Sequence, residues 1–265
     1  MRIRFSRFTA ARWMGNWALA FAGGSGLVTQ GSAATILPPA VTLAHCVVDS
    51  SFLDDPTSCA LGSIGHAQAT LTLSPFVSLS VQAASPPNDA RVHGSAATAT
   101  ITYSFQVTGG NTGDIVPVLI ATSLLTNGSD PTHGIGFAEL LTHTTAAGDS
   151  FIAVCSDGTC GTTASSFFGT LSTRARSGDA NTLTLFVQAG TGDSLFSESA
   201  SASADPFIFI DPAFPNANRY SIDVSPGVAN AQSAPGVPEP VSFGLVTLGL
   251  LVCAAVRAVR MSAHG

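Results

Sequence analysis

Apolar and polar side chains alternate along residues 99–107, and this two-residue period restricts the fold more than any other feature of the chain. Four apolar side chains would lie on one face of an extended strand: Ile101, Tyr103, Phe105 and Val107. The opposite face would carry Thr100, Thr102, Ser104 and Gln106. Such a pattern predicts a half-buried β-strand. Residues 183–188 repeat it, and no convincing amphipathic helix appears in the body.

Short segments rich in β-branched and aromatic residues recur through the body, separated by Gly, Asn, Asp and Pro. Those four residue types favour turns, so each segment between them is a candidate strand. The further candidates are 70–73, 76–81, 116–122, 136–141, 150–154, 167–172, 197–204, 207–210 and 220–224. Many short strands of this kind are typical of a β-sandwich or jelly roll. We therefore predict an all-β fold, a single jelly-roll-like sandwich over residues 35–228.

The segment 207–210 is apolar on both faces, because Phe207 and Phe209 alternate with Ile208 and Ile210. This composition predicts a strand that is buried on both sides. The alternative is an aromatic platform for a ligand. The chain has only two tyrosines, and both tryptophans lie within its first 17 residues. The side chains that most often stack on sugars are therefore scarce in the body.

The N-terminus has the three-part layout of a secretory signal. Residues 1–12 contain four arginines and no acidic residue, residues 13–28 are mostly apolar, and residues 31–34 are small. We predict a signal peptide over residues 1–34 that is recognised by the general secretion machinery and cleaved after Ala34, with Ala33 as the alternative. A first transmembrane anchor fits less well, because three glycines interrupt a short apolar stretch.

At the C-terminus, a linker over residues 229–240 ends in a four-residue motif, Val237, Pro238, Glu239 and Pro240. Residues 241–256 carry no charge, and Arg257 and Arg260 follow them. A helix of that length spans about 24 Å at about 1.5 Å per residue, slightly less than a hydrocarbon core. We predict a short transmembrane helix with an arginine tail over residues 241–265. Its positive end would stay cytoplasmic, which places the body across the membrane.

The Val-Pro-Glu-Pro motif, the short apolar helix and the arginine tail together resemble the PEP-CTERM sorting signal of Gram-negative bacteria. The resemblance implies that an exosortase, a membrane cysteine protease, recognises and cuts the signal. It also implies that the protein is then released or displayed at the cell surface, often alongside exopolysaccharide. Residues 199–212 and 220–227 resemble stretches of uncharacterised members, and that second resemblance implies no activity.

The charge of the body excludes several classes of partner. Residues 35–236 contain 15 acidic residues, four arginines and no lysine, a net charge of −11. Such a body repels phosphate backbones and anionic lipid surfaces, and it attracts divalent cations. We therefore expect no nucleic-acid partner, and membrane contact only through the C-terminal helix before cleavage.

Four of the five cysteines lie in the body, and an even number in an oxidising compartment favours two disulfides. Cys155 and Cys160 flank an Asp-Gly turn that suits a tight hairpin, so their thiols would face each other across adjacent strands. Cys46 and Cys59 remain, and we favour their pairing among the three possible connectivities. A zinc site is the alternative, but no Cys-x-x-Cys spacing occurs.

The sequence has no recognisable catalytic constellation, since it lacks a Gly-x-Ser-x-Gly elbow and a His-Glu-x-x-His cluster. The histidines of the body are scattered, and we interpret them as surface or loop residues: His45, His66, His93, His133 and His143. Glu139 and Glu198 are its only glutamates, and most aspartates precede turn-forming residues. The remaining metal candidate is a calcium site, built from Asp54 and Asp55 or from Asp205 and Asp211.

We therefore predict a non-enzymatic protein without a cofactor, exported through a transient inner-membrane anchor and then released or displayed at the cell surface. It would associate with the extracellular polysaccharide matrix or the envelope. The alternative is a carbohydrate-binding module or an extracellular hydrolase on the same scaffold. A concave face with exposed aromatic residues or clustered carboxylates would favour that alternative, and a closed surface rich in hydroxyl groups would favour the matrix role.

Overall fold

The computed structural model describes residues 36–62, 65–86, 94–129, 134–160, 165–192 and 197–230. Thirteen strands and one short 3₁₀ helix, Ala217–Arg219, form the regular structure of this part of the chain. The strands are β1 Val41–Val48, β2 Ser51–Asp55, β3 Ser58–Gly62, β4 His66–Thr72, β5 Ser78–Ser85, β6 Ser95–Gly109, β7 Ile115–Gly128, β8 Gly134–Thr144, β9 Gly148–Cys155, β10 Ser166–Arg176, β11 Ala180–Thr191, β12 Glu198–Ile210 and β13 Tyr220–Val224.

The predicted signal peptide, transmembrane helix and sorting motif lie outside the described residues. Within the described ranges, no helix is both long enough and apolar enough to cross a membrane.

The strands form two antiparallel sheets, which confirms the predicted all-β sandwich. Sheet A has the order β2-β1-β6-β11-β8-β9, and β13 pairs with the second half of β6. Sheet B has the order β10-β7-β12-β5-β4-β3. Within the sandwich, β10-β7-β12-β5 and β6-β11-β8-β9 form the nested order of an eight-stranded jelly roll. Strands that pair directly are therefore often far apart in the sequence.

The period-2 pattern of each central strand places one face between the sheets. The four apolar side chains predicted for β6 are all buried there, and Leu183 and Leu185 of β11 lie in the same cluster. At the end where β5 and β11 finish, the core consists mainly of alanine: Ala67, Ala83, Ala97, Ala189 and Ala200. The core is therefore thick at one end of the sandwich and thin at the other.

Two glycines allow the close approach of backbone segments at the thin end. A Cβ atom at Gly136 of β8 would overlap the Ser201 carbonyl oxygen of β12, which belongs to the other sheet. A Cβ atom at Gly128 of β7 would overlap the Gly134 carbonyl oxygen. Any larger residue at either position would push the backbones apart.

A disulfide between Cys46 of β1 and Cys59 of β3 joins sheet A to sheet B, with the two Cα atoms 5.9 Å apart. Both residues are buried. The chain changes sheet in the turn between β2 and β3, where the Asp55 carboxylate accepts hydrogen bonds from the Ser58 and Thr57 backbone N–H groups at 2.9 and 2.7 Å. These bonds lower the pKa of Asp55 below its ordinary value.

Two local predictions were wrong. β9 lies in sheet A and β10 in sheet B, so the Asp-Gly turn after Cys155 leads across the sandwich and does not close a hairpin. Cys160 lies in that turn, and the two thiols do not face each other across paired strands. The segments 197–204 and 207–210 are not separate strands, because β12 runs through both of them.

After β13 the chain returns to sheet B. The Ala229 N–H donates to the Leu73 carbonyl oxygen at 2.7 Å. The side-chain amide of Asn230 bonds to both backbone groups of Ile208, accepting from its N–H at 2.9 Å and donating to its carbonyl oxygen at 2.7 Å. Asn230 therefore takes the place of a strand partner at this point of β12.

Glu139 lies on the outer face of sheet A, opposite Phe186 of β11 and Ala153 of β9. Its side chain is partly buried, and this desolvation raises the pKa of its carboxyl group above the ordinary value. The folded protein consequently holds the Glu139 proton more tightly than the unfolded chain does.

We expect the double substitution Cys46→Ala/Cys59→Ala to lower the free energy of unfolding by about 3 kcal/mol, because the disulfide closes a loop of 13 residues. Cys155→Ala/Cys160→Ala should lower the free energy of unfolding by less, since a disulfide between these two residues would close a loop of only five residues. Urea unfolding under oxidising conditions measures both variants. Equal losses, or a larger loss for the second pair, would contradict the assignment of the first disulfide as the main link between the sheets.

We expect Glu139→Gln to raise the melting temperature at pH 7. An acid whose folded pKa is raised destabilises the fold once it ionises, so stability falls as pH rises through the raised value. The gain from the substitution should vanish below about pH 4, where glutamate is protonated in both states. Thermal unfolding between pH 3.5 and 7.5 measures this, with exposed Asp223→Asn as the control. A gain that is constant across that range would contradict the explanation.

Candidate functional site

The outer face of sheet B contains a groove with a volume of about 340 Å³, which lies in the range of small-molecule sites. It runs over β7, between β10 and β12. We call it the sheet B groove. Its lining residues are Phe76, Val77, Ala121, Thr122, Ser123, Phe168, Gly169, Thr170, Asp205, Pro206 and Phe207.

Strand register explains the shape of the groove. Ala121 and Ser123 of β7 are small and form its floor. Phe168 of β10 lies directly opposite Ser123, and Phe207 of β12 lies directly opposite Ala121. Two strand spacings, about 10 Å in all, separate β10 from β12. The groove can therefore accept a flat ring or an extended chain, whereas an α-helix with its side chains, about 10–12 Å wide, would not enter it.

The groove lies on the part of β12 that extends beyond the start of β5. The pairing between these strands ends at Leu79 and Ala204, whereas β12 extends to Ile210. Pro206 has no N–H to donate and is disfavoured inside a sheet, but at this position β12 has β7 as its only strand partner. Phe76, just before β5, lines the space left beside Pro206.

Asp205 supplies the groove with a carboxylate. Its Oδ1 atom accepts a hydrogen bond from the Ser123 backbone N–H at 3.0 Å. Its backbone carbonyl oxygen accepts from the Thr122 hydroxyl, also at 3.0 Å. These bonds tie the carboxylate to β7. Because a carboxylate has about four acceptor positions, Asp205 can also accept hydrogen bonds from hydroxyl groups of a ligand.

The aromatic residues beside Asp205 face outward. Phe207 and Phe209 stack with their ring centroids 5.5 Å apart, and both are partly exposed, whereas Ile208 between them is buried. Phe168 is 69% exposed. The prediction that this segment is buried on both faces was therefore wrong, because no second layer covers the outer face in the described structure. Outward rings are one condition of the alternative prediction, an aromatic platform for a ligand.

Neither tyrosine contributes to this face. Tyr103 is buried between the sheets, and its burial raises the pKa of the phenol. The Tyr220 hydroxyl donates a hydrogen bond to the Asp114 carboxylate at 2.8 Å. The groove therefore offers phenylalanine rings and the polar groups of Asp205, Ser123 and Thr170.

The described histidines do not form a common site. His45 pairs with Asp54 across β1 and β2, and His143 pairs with Asp149 across β8 and β9 with Nδ1 and Oδ1 2.6 Å apart. His66 begins β4 in the other sheet. His93 and His133 lie outside the described residues.

The two glutamates of the body are not a catalytic pair. Glu198 is buried, and its Oε2 atom accepts a hydrogen bond from the Gly192 backbone N–H at 3.1 Å. Glu139 lies on the outer face of sheet A. Glycoside hydrolysis requires two carboxylates flanking one bond, whereas Glu198 lies on the buried side of β12 and Glu139 on the outer face of sheet A.

The aspartates of the two candidate calcium sites bond within the protein. Asp54 pairs with His45, and Asp55 closes the turn before β3. Asp211 accepts a hydrogen bond from the Ala213 backbone N–H at 2.8 Å, and Asp205 lies in the sheet B groove. The structure explains Asp55 and Asp211 through turn formation, as their sequence context indicates.

Among the residues that the structure describes, one group brings several metal-ligand atoms together. Cys155, Asp157 and Cys160 have such atoms within 4.8 Å of one another. The Cα atoms of the two cysteines are 5.6 Å apart, within disulfide range, and Asp157 accepts a hydrogen bond from the Thr159 N–H at 3.0 Å. A disulfide and a thiolate metal site exclude each other, and the predicted disulfide stays a prediction.

No protein-family model matches the chain, and no curated protein matches it either. Among solved structures, the chain is similar to TmCBM61, a carbohydrate-binding module in complex with β-1,4-galactotriose. The identity is 11% and the TM-score 0.22, over 63% of this chain and 88% of that chain. A TM-score of this size assigns neither a fold nor a ligand to this chain.

Proposed function

We propose that this chain is a secreted or surface-displayed, non-enzymatic β-sandwich that binds extracellular polysaccharide through the sheet B groove. The observation that carries the proposal is the placement of Phe168, Phe207 and Asp205 around a floor of small residues. In this role the protein would be a component of an exopolysaccharide matrix or biofilm.

The chemistry of the groove matches a sugar ring better than a purely apolar ligand. A pyranose has an apolar face that can stack on phenylalanine and hydroxyl groups that can donate to a carboxylate. A purely apolar ligand would remove the Asp205 carboxylate from water without replacing its hydrogen bonds, which is strongly unfavourable. A ligand that has both an apolar face and hydroxyl groups can contact the phenylalanine rings and the Asp205 carboxylate together.

Two alternative functions, a glycoside hydrolase and a purely structural matrix protein, are supported less well. A glycoside hydrolase needs a second carboxylate across the scissile bond, and Asp205 is the one carboxylate among the groove-lining residues. A purely structural matrix protein needs no aromatic groove. The exposed phenylalanines therefore favour a binding role over both.

We also propose that the protein reaches its site through the PEP-CTERM route. The N-terminal signal would direct export, the C-terminal helix would hold the chain in the inner membrane, and an exosortase would cut near the 237–240 motif. The Cys46–Cys59 disulfide supports export, because such bonds persist mainly in oxidising compartments.

We expect Phe168→Ala to lower the affinity for the exopolysaccharide of the producing cells about three- to tenfold, through the loss of one stacking surface. Phe168 is 69% exposed, so its removal should leave the melting temperature nearly unchanged. Pulldown followed by calorimetry would measure the affinity of protein purified from cells that express the full chain.

Phe151→Ala is the matched control, because Phe151 is 66% exposed but lies on sheet A. It should bind as the unmodified protein does. If Phe168→Ala bound as tightly as Phe151→Ala, or if the unmodified protein did not bind at all, the groove would not be a polysaccharide site.

We expect the mature protein to lack residues 241–265, because the sorting signal would be removed after export. Mass spectrometry of the C-terminal peptide of secreted or surface-released material measures this directly. Deletion of the exosortase gene should leave an uncut form in the membrane fraction. Recovery of the intact C-terminus from secreted wild-type protein would refute the sorting proposal.

A further inference from the structure

The charged residues are unevenly distributed between the two sheets. The strands of sheet A contain no arginine and five acidic residues: Asp54, Asp55, Glu139, Asp149 and Asp223. The strands of sheet B contain two acidic residues, Glu198 and Asp205, together with Arg174 and Arg176. Because Glu198 is buried, the outer face of sheet B carries more positive than negative charge on its strands. Asp211, just after β12, lies in the row of Pro117 and Arg174 and adds a negative charge beside the arginines. The strands of sheet B still oppose an anionic ligand less than the strands of sheet A do.

Both arginines lie on the same strand and the same face as Phe168. Exposed and buried residues alternate in this half of β10, and Ser172, Arg174 and Arg176 are exposed. Ser172 lies opposite Leu119, and Leu119 lies opposite Phe209, so the next row of the sheet continues the groove toward the arginines. At about 3.3 Å per residue, Arg174 lies about 20 Å from Phe168 along the strand. We call the outward residues from Phe168 and Asp205 to Arg174 and Arg176 the binding strip.

We propose that the binding strip selects an acidic polysaccharide, with a neutral part of a sugar in the groove and an anionic group against Arg174 and Arg176. This inference rests on the proposed function and adds the charge of the ligand. Asp205 disfavours a carboxylate inside the groove. A guanidinium group, by contrast, binds a carboxylate through two parallel charge-assisted hydrogen bonds. The strip therefore favours a polymer whose acidic groups are separated by neutral sugar surface.

The net charge of −11 does not prevent this contact. At physiological ionic strength the screening length is about 8 Å, so exposed charges on sheet A and on the far loops are largely screened at the strip. The arginines also lie on an edge strand, where charge protects against pairing with another chain. That protective role requires charge on the edge but predicts no preference among polysaccharides, so the two roles can be separated by experiment.

The test compares one polymer in two forms: the exopolysaccharide of the producing cells, native and after chemical reduction of its carboxyl groups to alcohols. We expect the unmodified protein to bind the native form about tenfold more tightly, and this difference to shrink as salt is added. Arg174→Gln/Arg176→Gln should bind both forms equally, at the affinity of the unmodified protein for the reduced form. Arg219→Gln removes an arginine of the 3₁₀ helix that precedes β13, outside the strands of sheet B, and should keep the preference.

The outcomes separate the two proposals. Equal binding of both forms by the unmodified protein would overturn the acidic preference while leaving polysaccharide binding intact. A preference that survives in the double variant would overturn the role of Arg174 and Arg176. Absence of binding to either form would overturn both proposals. Phe168→Ala should weaken binding to both forms, and a melting temperature for each variant confirms that it is folded.

Discussion

The structure depends on the contact between the two inner sheet faces, and that contact is held by small side chains at one end. Alanines from both sheets fill the thin part of the core, and Gly136 allows β8 to approach the backbone of β12. Dispersion contacts of this kind require close packing, since a small gap loses much of the attraction. The Cys46–Cys59 disulfide crosses the same core at the β1–β3 edge, and it stabilises the pairing of the sheets mainly by restricting the unfolded chain.

The core holds few large rings, and most of the described phenylalanines are at least partly exposed. Phe105 is the one phenylalanine that is fully buried among the described residues. Phe168 is mostly exposed, and Phe207 and Phe209 are partly exposed on the outer face of sheet B. A ligand that covered these rings would remove apolar surface from water, which is favourable. The groove that they form with Asp205 suits the ligand proposed above, which has an apolar face.

Period-2 alternation predicted the strands from β4 onward, because burial of one face is a local property of the sequence, but no candidate strand covered β1, β2 or β3. It gave the buried residues of β6, and it placed β13 at Tyr220–Val224. Sheet membership was not predictable in the same way: the Asp-Gly turn after Cys155 suits a hairpin equally well as a crossing between sheets. The outward direction of Phe207 depends on which layers cover β12, and the groove combines residues from Phe76 to Phe207. A short window of sequence therefore predicts neither the direction of the Phe207 side chain nor the set of residues that line the groove.

The position at which β5 begins links the fold to the groove. Beyond the start of β5, one edge of β12 has no strand partner among the described residues, Pro206 is tolerated there, and space opens for Phe76 and Phe207. An open strand edge attracts other strands, yet the Asn230 amide bonds to both backbone groups of Ile208 and closes the edge at that point. A ligand would therefore approach from the outer face of sheet B, where the rows from Asp205 and Phe168 to Arg174 offer a continuous path along the strands. A long polymer can follow such a path without its ends entering the protein.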